Sequence, residues 1–371
     1  MQEIPQIEEL EGEACSRLRP LWEEVFWEDS REFTDYYFKE KASGNHAFTL
    51  KMGEEDAAML YLSPYPMEIR IGNDFAEREI CYIVGVATKK KYRHRGYMDR
   101  LLRAALSYMR EKERPFAFLM PANPDIYRPY QFTYIYDRKK YMLREKAKIR
   151  PLEKEESKML AEYASSYLKK EYDVFIRRDA AYFQGMEEEL NAQKGGIYMQ
   201  YGERGCVEGY FFYTDEEGEE EIQEAVFSNR LENCPVYATE RKQPVIMARI
   251  VDVQAMLSLL RTVTEEVFWS VRIKDTVLPQ NDGVWKCRTG PDGASVCREE
   301  SDFSESGSKN TFSGSAVAEC AASVEGLAAW IFGYRKTEEC FVFSDSADRE
   351  AVLKKLKEIK KLAKVFINEI V

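Results

Sequence analysis

Hydrophobic residues change their spacing sharply between residues 80 and 111, and this change predicts two adjoining elements of secondary structure. Residues 80–86 form an apolar run interrupted only by Gly85, which is typical of a buried strand. Beyond a basic turn, apolar residues recur at the spacing of one helix face. These residues are Met98, Leu101, Leu102, Ala105, Leu106 and Met109. The pattern therefore predicts a strand, a turn and a helix, in that order.

The turn between the predicted strand and helix has the composition of a phosphate-binding site. It reads Arg93-His94-Arg95-Gly96, and the first backbone N–H groups of a helix point toward such a turn. Gly85 adds to this interpretation, because a glycine within a strand often marks a bulge or the close approach of a ligand. The alternative is a solvated helix start whose basic side chains face water.

Shorter segments predict the other elements of the first 150 residues. Residues 16–38 suit two short helices, and strands are predicted at 47–52, 57–62, 67–71, 77–87 and 116–120. Pro64 and Pro66 are expected to separate the second of these strands from the third. A charged link at residues 145–154 places the first domain boundary near Arg150.

The rest of the chain contains segments with the residue spacing of helices and segments with that of strands. Helical spacing is present in residues 154–170 and 172–195, and strands are predicted at 197–203, 205–215 and 221–227. A further segment follows with helices at 247–261, 323–334 and 347–362, strands at 267–274 and 283–288, and an exposed loop at 289–315. The chain closes on an apolar tail, residues 363–371.

The composition argues against several classes of function and binding site. The net charge of −11 argues against nucleic acid as a partner and suits a cationic amine. The eight cysteines show no C-x-x-C spacing, so neither a disulfide framework nor a metal site is expected. The two histidines, His46 and His94, exclude most histidine-based catalysis. No apolar run approaches a membrane span and the N-terminal residues lack a signal core, so we expect a soluble cytoplasmic protein without a membrane partner.

The segment V-A-T-x-x-x-Y-R-x-x-G resembles the acetyl-CoA signature of GNAT N-acetyltransferases, whose core is Q/R-x-x-G-x-G/A. Arg93 and Gly96 match this core. Met98 stands where glycine or alanine is usual, and Lys90 stands where proline is common. The resemblance implies that acetyl-CoA is the co-substrate.

A second segment, after the predicted strand at 116–120, resembles the GNAT element Y-x-x-x-G-F that carries the catalytic tyrosine. Tyr127 and Phe132 have its spacing, although Gln131 replaces the glycine, and Tyr130 is the second candidate. The resemblance implies that Tyr127 protonates the leaving thiolate as general acid. An ordinary structural tyrosine is the alternative, because the chain holds 23 of them.

The same resemblance assigns binding roles to other residues. The cofactor-binding residues would be Val84, Val86, Ala87, Thr88, Arg93, His94, Arg95, Gly96, Tyr97, Met98, Asp99 and Asn123. The helical pair in residues 16–38 would form one wall of the acceptor pocket, with Phe26, Trp27 and Asp29 as substrate-binding candidates. Core and helix-cap positions are the alternative for these three.

The layout of the whole chain resembles the enhanced intracellular survival (Eis) acetyltransferases, in which a bulky aliphatic residue also stands at the place of Met98. This implies an α+β fold, with a duplicated GNAT fold of mixed sheet and flanking helices and a C-terminal sterol-carrier-protein-like α/β domain. The domains would be residues 1–150, a degenerate GNAT half at 151–245 without an acetyl-CoA site, and 246–371. Eis-like proteins form hexamers, so a homo-oligomer is expected.

In Eis-like proteins the general base is the terminal carboxylate, which here is that of Val371. The apolar tail fits this role, because its side chains are costly to leave in water. A last strand of the C-terminal domain is the alternative. The predicted activity is acetyl transfer to a primary amine of an aminoglycoside, a polyamine or a lysine. A lipid- or sterol-binding protein and a non-catalytic acetyl-CoA-binding regulator are the competing functions.

Overall fold

The computed structural model describes residues 4–144, 150–202, 205–216, 218–228, 234–299, 318–345 and 347–369. Its helices are α1 (Arg19–Val25), α2 (Arg31–Tyr36), α3 (Tyr97–Glu111), α4 (Ser157–Glu171), α5 (Ala180–Ala192), α6 (Val253–Ser258), α7 (Val324–Ile331), α8 (Thr337–Cys340) and α9 (Arg349–Glu358). None of the described helices is long and apolar enough to cross a membrane.

The strands are more numerous than the helices. They are β1 (Gln6–Glu11), β2 (His46–Met52), β3 (Glu55–Ile71), β4 (Asp74–Thr88), β5 (Phe116–Leu119), β6 (Thr133–Leu143), β7 (Arg150–Pro151), β8 (Val174–Ile176), β9 (Gly196–Tyr201), β10 (Val207–Glu216), β11 (Glu219–Phe227), β12 (Val236–Ile250), β13 (Arg261–Thr262), β14 (Val267–Lys274), β15 (Gly283–Thr289), β16 (Ala294–Arg298), β17 (Cys320–Ser323), β18 (Val342–Phe343), β19 (Ile359–Lys360) and β20 (Val365–Phe366).

The largest sheet collects strands from all three predicted segments. Its nine strands run in the order β1-β2-β3-β4-β5-β12-β6, with β8 against β3 and β20 against β8. The predicted boundary at 245 falls inside β12, which lies between β5 and β6. The likeness of the second segment to a second GNAT domain, and of the third to a sterol-carrier protein, stays a prediction.

The predicted helix at 247–261 is wrong over its first residues. Met247–Ile250 is strand, because its backbone pairs with Leu119–Phe116 of β5, and the helix here covers only Val253–Ser258. The apolar spacing is compatible with either element, and the pairing with β5 decides between them.

The expected break at Pro64 and Pro66 is also wrong, since β3 continues through both prolines. β2 ends its pairing at Leu62, and β8 begins its own at Met67. Both prolines therefore lie between these two pairings, and the carbonyl of Pro66 accepts there from the backbone N–H of Arg177 at 2.8 Å. A strand tolerates the missing N–H group of proline at such a place.

Gly85 forms a bulge in β4, as one of the two sequence interpretations requires. Its φ is +61°, and the register with β3 shifts beside it. A Cβ atom added there would lie 2.5 Å from Cζ3 of Trp22, which belongs to α1. Both the backbone and the packing therefore require glycine.

Replacing Gly85 with alanine should lower the free energy of unfolding by about 2–4 kcal/mol, because strain at positive φ adds to the clash with Trp22. Chemical denaturation measures this change. Gly12 is the matched control, because its φ is +59° but it has no atom within 4 Å of an added Cβ. Gly12→Ala should cost only about 1–2 kcal/mol. Equal losses in both variants would refute the role of Trp22.

The remaining parts pack against the largest sheet. The second sheet, β11-β10-β9-β7, contacts α4 and α5, and a five-stranded sheet, β16-β15-β14-β17-β18, carries α7 and α9. A buried ion pair joins this last part to β12, with Arg249 Nη2 2.6 Å from Asp275 Oδ1. The Nε of Arg249 also donates to the carbonyl of Tyr130 at 2.7 Å. The third part is therefore fixed to the loop that carries Tyr127.

Candidate active site

β4 and β5 run side by side only briefly and then separate. Their pairs are Cys81 with Ala117 and Tyr82 with Phe118. Beyond Tyr82, the described pairs of β4 are with β3 alone, so Val84–Thr88 presents a free edge to the gap between the strands. Such an edge offers N–H and C=O groups that can pair with the amides of an extended ligand. The predicted residues Val84, Val86, Ala87 and Thr88 all lie on this edge.

The basic turn lies at the end of this edge, where α3 begins. His94 and Gly96 have φ values of 60° and 74°. The backbone N–H groups of His94, Arg95 and Gly96 donate to no acceptor in the part of the chain that the structure describes. Unpaired N–H groups at the start of a long helix form a concave anion-binding site.

The basic residues around the turn divide into two groups. Lys89 and Lys91 form ion pairs with Glu55, at 2.9 and 2.7 Å. These contacts lower the pKa of Glu55 to about 2, with the hydrogen bond from Lys91 the largest cause. Arg93 and Arg95 have no carboxylate partner among the described residues. The Nε of Arg93 donates to the carbonyl of Thr88 at 3.2 Å, and Arg95 lies over the ring of Tyr92. These two exposed guanidinium groups remain available to a ligand.

Three predicted cofactor residues after the turn have side chains occupied elsewhere. The hydroxyl of Tyr97 donates to Met52 Sδ at 3.1 Å, and Asp99 accepts from Arg103 at 3.0 Å. Met98 packs against the main hydrophobic core. These residues can therefore meet a ligand through their backbone N–H groups at the start of α3, and not through their side chains.

Tyr127 lies in the loop that follows β5. Its ring packs against the core, with an edge contact to Phe132 at 6.1 Å between centroids. Burial raises the pKa of Tyr127 to about 12. Its hydroxyl has no hydrogen-bond partner among the described residues. A protonated, unengaged phenol is what a proton donor requires. Asn123 uses its Oδ1 to accept from Asp125 N at 3.0 Å, and its amide hydrogens have no acceptor among the described residues.

Tyr130, the second candidate, faces α3. Burial raises its pKa to about 12, the charge of Asp99 contributes, and the guanidinium of Arg103 lies 6.0 Å from its ring. Gln131, which replaces the glycine of the motif, has a φ of 61° and accepts from Thr276 N at 2.9 Å. Gln131 thus keeps the left-handed backbone expected of a glycine, and its side chain joins this loop to the third predicted segment, residues 246–371.

The helical pair lies over the bulge of β4, and two of its three predicted wall residues are brought together there. Trp22 Nε1 donates to Asp29 Oδ2 at 2.8 Å, and the ring of Phe26 lies 4.9 Å from that of Trp22. Burial raises the pKa of Asp29. Trp27 is 75% exposed and has no ring contact with the other aromatic residues described. Trp22 itself is the contact that sequence reasoning missed.

A cavity of about 250 Å³ opens between β3 and α5, and Lys41, Tyr65, Tyr182 and Met186 are among its lining residues. Tyr65 lies 6.3 Å from Tyr82, measured between ring centroids. Burial, followed by the charges of Tyr65, Glu369, Glu189 and Tyr127, raises the pKa of Tyr82. These groups therefore lie within electrostatic range of one hydroxyl on β4, at the last pair before the strands separate.

The C-terminal tail reaches this region. β20 pairs with β8, which pairs with β3 of the largest sheet. Ile367, Asn368 and Glu369 are buried. Val371, the predicted base, lies outside the described residues, and Glu369 is the last one described. Sequence reasoning missed Tyr65, Tyr82 and Glu369. Apart from Lys364 and Asn368, the other residues of the tail are apolar, and a glutamate in such a segment pointed to a buried partner.

The first part of the chain matches a known family. Residues 6–135 match the sequence profile described as an acetyltransferase (GNAT) domain. The predicted GNAT fold, with its mixed sheet and flanking helices, is confirmed there. No curated protein sequence matches the chain.

Solved structures share the architecture over nearly the whole chain. A conserved protein of unknown function from Enterococcus faecalis V583, described as a probable N-acyltransferase, is 15% identical, with a TM-score of 0.75 and coverage of 99% of this chain and 100% of that one. A GCN5-related N-acetyltransferase from Kribbella flavida is 14% identical, with a TM-score of 0.71 and coverage of 100% and 99%. Eis1 from Mycobacterium abscessus is 12% identical, with a TM-score of 0.68 and coverage of 99% and 100%. At these identities the likeness establishes the fold.

Proposed function

We propose that this protein is an acetyl-CoA-dependent N-acetyltransferase of the Eis-like type, which transfers acetyl to a primary amine. The observation that carries this proposal is the free edge of β4 leading into the turn at His94–Gly96, whose N–H groups have no acceptor in the described chain. The edge suits the pantetheine amides and the turn suits the diphosphate of one extended ligand. The match of residues 6–135 to a GNAT acetyltransferase domain supports the same ligand.

The chemistry follows from where that ligand would lie. The amine attacks the carbonyl carbon of the thioester, and backbone N–H groups on the edge of β4 stabilise the oxyanion. The carbon–sulfur bond then breaks, and the thiolate takes the proton of Tyr127. The attacking nitrogen gives up its surplus proton as the neutral amide forms, and this proton restores the phenol, directly or through water. Asn123 donates to the pantetheine arm. Phe26 and Asp29 belong to the acceptor wall, because Trp22 holds both beside the bulge of β4.

The ammonium group of the acceptor must lose a proton before it attacks, and we assign this step to the carboxylate of Val371 in the chain that ends there. The burial of residues 367–369 and the pairing of β20 with β8 support this role, because they bring the tail to the GNAT sheet. An α-carboxylate has a pKa of about 3.3–3.7 in water, so it acts through apolar surroundings or a relaying water.

The acceptor is a polyamine, an aminoglycoside or a lysine side chain. The cavity between β3 and α5 has tyrosine rings in its lining, and aromatic faces attract cations. The net charge of −11 adds a general attraction for cationic molecules. Assembly as a homo-oligomer stays a prediction.

Acetyl-CoA should bind the protein and raise its melting temperature. Arg95→Gln should weaken this binding about tenfold, because one charge-assisted contact to the diphosphate is lost. Calorimetric titration measures the dissociation constant. Lys112→Gln is the control, because Lys112 lies at the far end of α3 over Tyr108 at a similar 5.5 Å, measured from Nζ to the ring centroid. Equal affinities in wild type and Arg95→Gln would contradict the placement of the diphosphate.

Turnover tests the proposal directly. Purified protein is mixed with acetyl-CoA and a panel of amines, and the release of free thiol is followed together with the mass of the acetylated product. Thiol release that depends on an amine, with a product heavier by one acetyl group, is the expected result. Binding of acetyl-CoA without transfer to any amine of the panel would contradict an acetyltransferase function.

A further inference from the structure

We propose that Arg178 is a positioning residue that holds the C-terminal tail against the active site through Glu369. The inference rests on the proposed function, because it concerns how the tail comes to deliver a catalytic group. It assigns a purpose to a buried ion cluster that no step of the chemistry uses. The cluster consists of Arg178, Glu224 and Glu369.

Arg178 is fully enclosed and meets two carboxylates at once. Its Nη2 lies 2.7 Å from Glu224 Oε2, and its Nη1 forms an ion pair with Glu369 Oε1. The side chains of Arg178 and Glu224 are 0% exposed, and that of Glu369 is 1% exposed. The ring of Tyr182 lies 4.1 Å from the guanidinium carbon. Buried charges in such a geometry fix their partners strongly, because loss of a partner leaves an uncompensated charge.

Further hydrogen bonds fix the tail on both sides of this ion pair. Tyr136, on β6, donates its hydroxyl to Asn368 Oδ1 at 2.9 Å. Tyr182, on α5, donates to Glu369 Oε1 at 3.2 Å. The backbone N–H of Asn368 donates to Glu369 Oε2 at 3.0 Å. Groups from the first and second parts of the chain thus converge on two consecutive residues of the third.

The position of the cluster explains why it matters for the reaction. Tyr182, which donates to Glu369, lines the cavity between β3 and α5 together with Tyr65. The ring of Tyr65 lies 6.3 Å from that of Tyr82, at the end of the β4–β5 pairing. Val371 follows Glu369 by two residues, and two residues of extended chain span about 7 Å. The covalent chain therefore keeps Val371 within about 7 Å of the point where Glu369 is held. A displacement of 1 Å can cost about a hundredfold in rate.

Arg178 has one positive charge and two carboxylate partners, so one carboxylate can be neutralised without leaving Arg178 unpaired. This makes the inference testable. Removing the charge of Glu369 leaves Arg178 paired with Glu224, so the variant Glu369→Gln keeps a balanced ion pair and can fold. Glu224→Gln is the matched control. It makes the same change at an equally buried site on β11 and keeps the ion pair between Arg178 and the tail. Glu224 Oε2 also accepts from Asn368 Nδ2 at 3.4 Å, and the amide oxygen of glutamine can still accept this hydrogen bond.

The experiment compares wild type, Glu369→Gln and Glu224→Gln in the full-length chain. Two quantities are measured: kcat and KM for acetyl-CoA, and the hydrogen exchange of backbone amides in residues 365–369. We expect Glu369→Gln to lower kcat about tenfold with KM for acetyl-CoA within about twofold, and to speed exchange in the tail about tenfold. Glu224→Gln should change kcat and tail exchange less than about twofold.

Wild-type exchange of the tail in Glu369→Gln would overturn the inference, and so would equal losses of kcat in the two variants. The exchange measurement decides the role of Arg178 even if no amine is acetylated, because it does not depend on turnover. Failure of the proposed function has a different signature, which is an inactive wild type or an active chain extended beyond Val371.

Discussion

Tyr127→Phe is expected to lower kcat by about 10²–10⁴-fold, which is the usual contribution of a positioned general acid. The substitution removes one hydroxyl that has no hydrogen-bond partner in the described chain, so the packing against Phe132 remains. Acetyl-CoA should bind the variant as it binds wild type, because the turn that we propose for the diphosphate lies at the start of α3, away from the phenol. Steady-state kinetics and calorimetric titration together separate the two effects.

The pH dependence of the rate tests the role of Tyr127 in a second way. Burial raises the pKa of Tyr127 to about 12, so the phenol stays protonated throughout the neutral and mildly alkaline range. The rate of wild type should therefore not fall between about pH 7 and 10 through loss of this proton. A decline in that interval that disappears in Tyr127→Phe would show that the phenol ionises earlier than its burial implies.

Tyr130→Phe is the control for this substitution. Tyr130 is also buried with a raised pKa, but it faces Asp99 and Arg103 on α3. We expect its kcat to stay within about threefold of wild type. A large loss in Tyr130→Phe together with full activity in Tyr127→Phe would reverse the assignment of the general acid.

A short Gly-Ser extension after Val371 is expected to lower kcat by about 10²-fold or more, because it replaces the terminal carboxylate with a neutral amide. The burial of residues 367–369 leaves little room for the tail to move aside. The measurement is turnover of the best amine found, at saturating acetyl-CoA.

Two comparisons show whether charge or bulk causes this loss. The same Gly-Ser extension placed before Met1 should leave kcat near that of wild type. A semisynthetic chain with an amidated Val371 adds no residue but lacks the charge, and it should be as slow as the extended chain. Wild-type turnover of the amidated chain would exclude the carboxylate as base.

The elements around the proposed acetyl-CoA site could be predicted because their signals are local. A buried run, a glycine, a basic turn and an apolar stripe lie within about 30 consecutive residues, and backbone sterics and helix geometry alone turn them into β4, the bulge and α3. The bulge at Gly85 could likewise be predicted from a local signal. The contact of Gly85 with Trp22 could not be predicted in this way, because nothing in residues 80–99 specifies the helix that covers them.

The contacts of the helical pair could be predicted only in part. Phe26 and Asp29 were named from the family resemblance, and Trp22 holds them together, while Trp27 lies in solvent. Tyr65 and Tyr82 could not be singled out, because side chains on strands are distinguished by the neighbours of the sheet and not by their residue type. The same limitation applied to Met247–Ile250, whose spacing fits a helix until β5 and β6 supply its hydrogen bonds.

The sequence by itself determined the strand, the turn and the helix at which we propose that the diphosphate binds. Only the tertiary structure decided that β12 lies between β5 and β6 in the largest sheet and that Glu369 forms an ion pair with Arg178. The two residues of this ion pair are 191 positions apart, and such contacts leave no periodic trace in the chain. They form because a buried charge must find a partner, and only the folded chain brings that partner within reach.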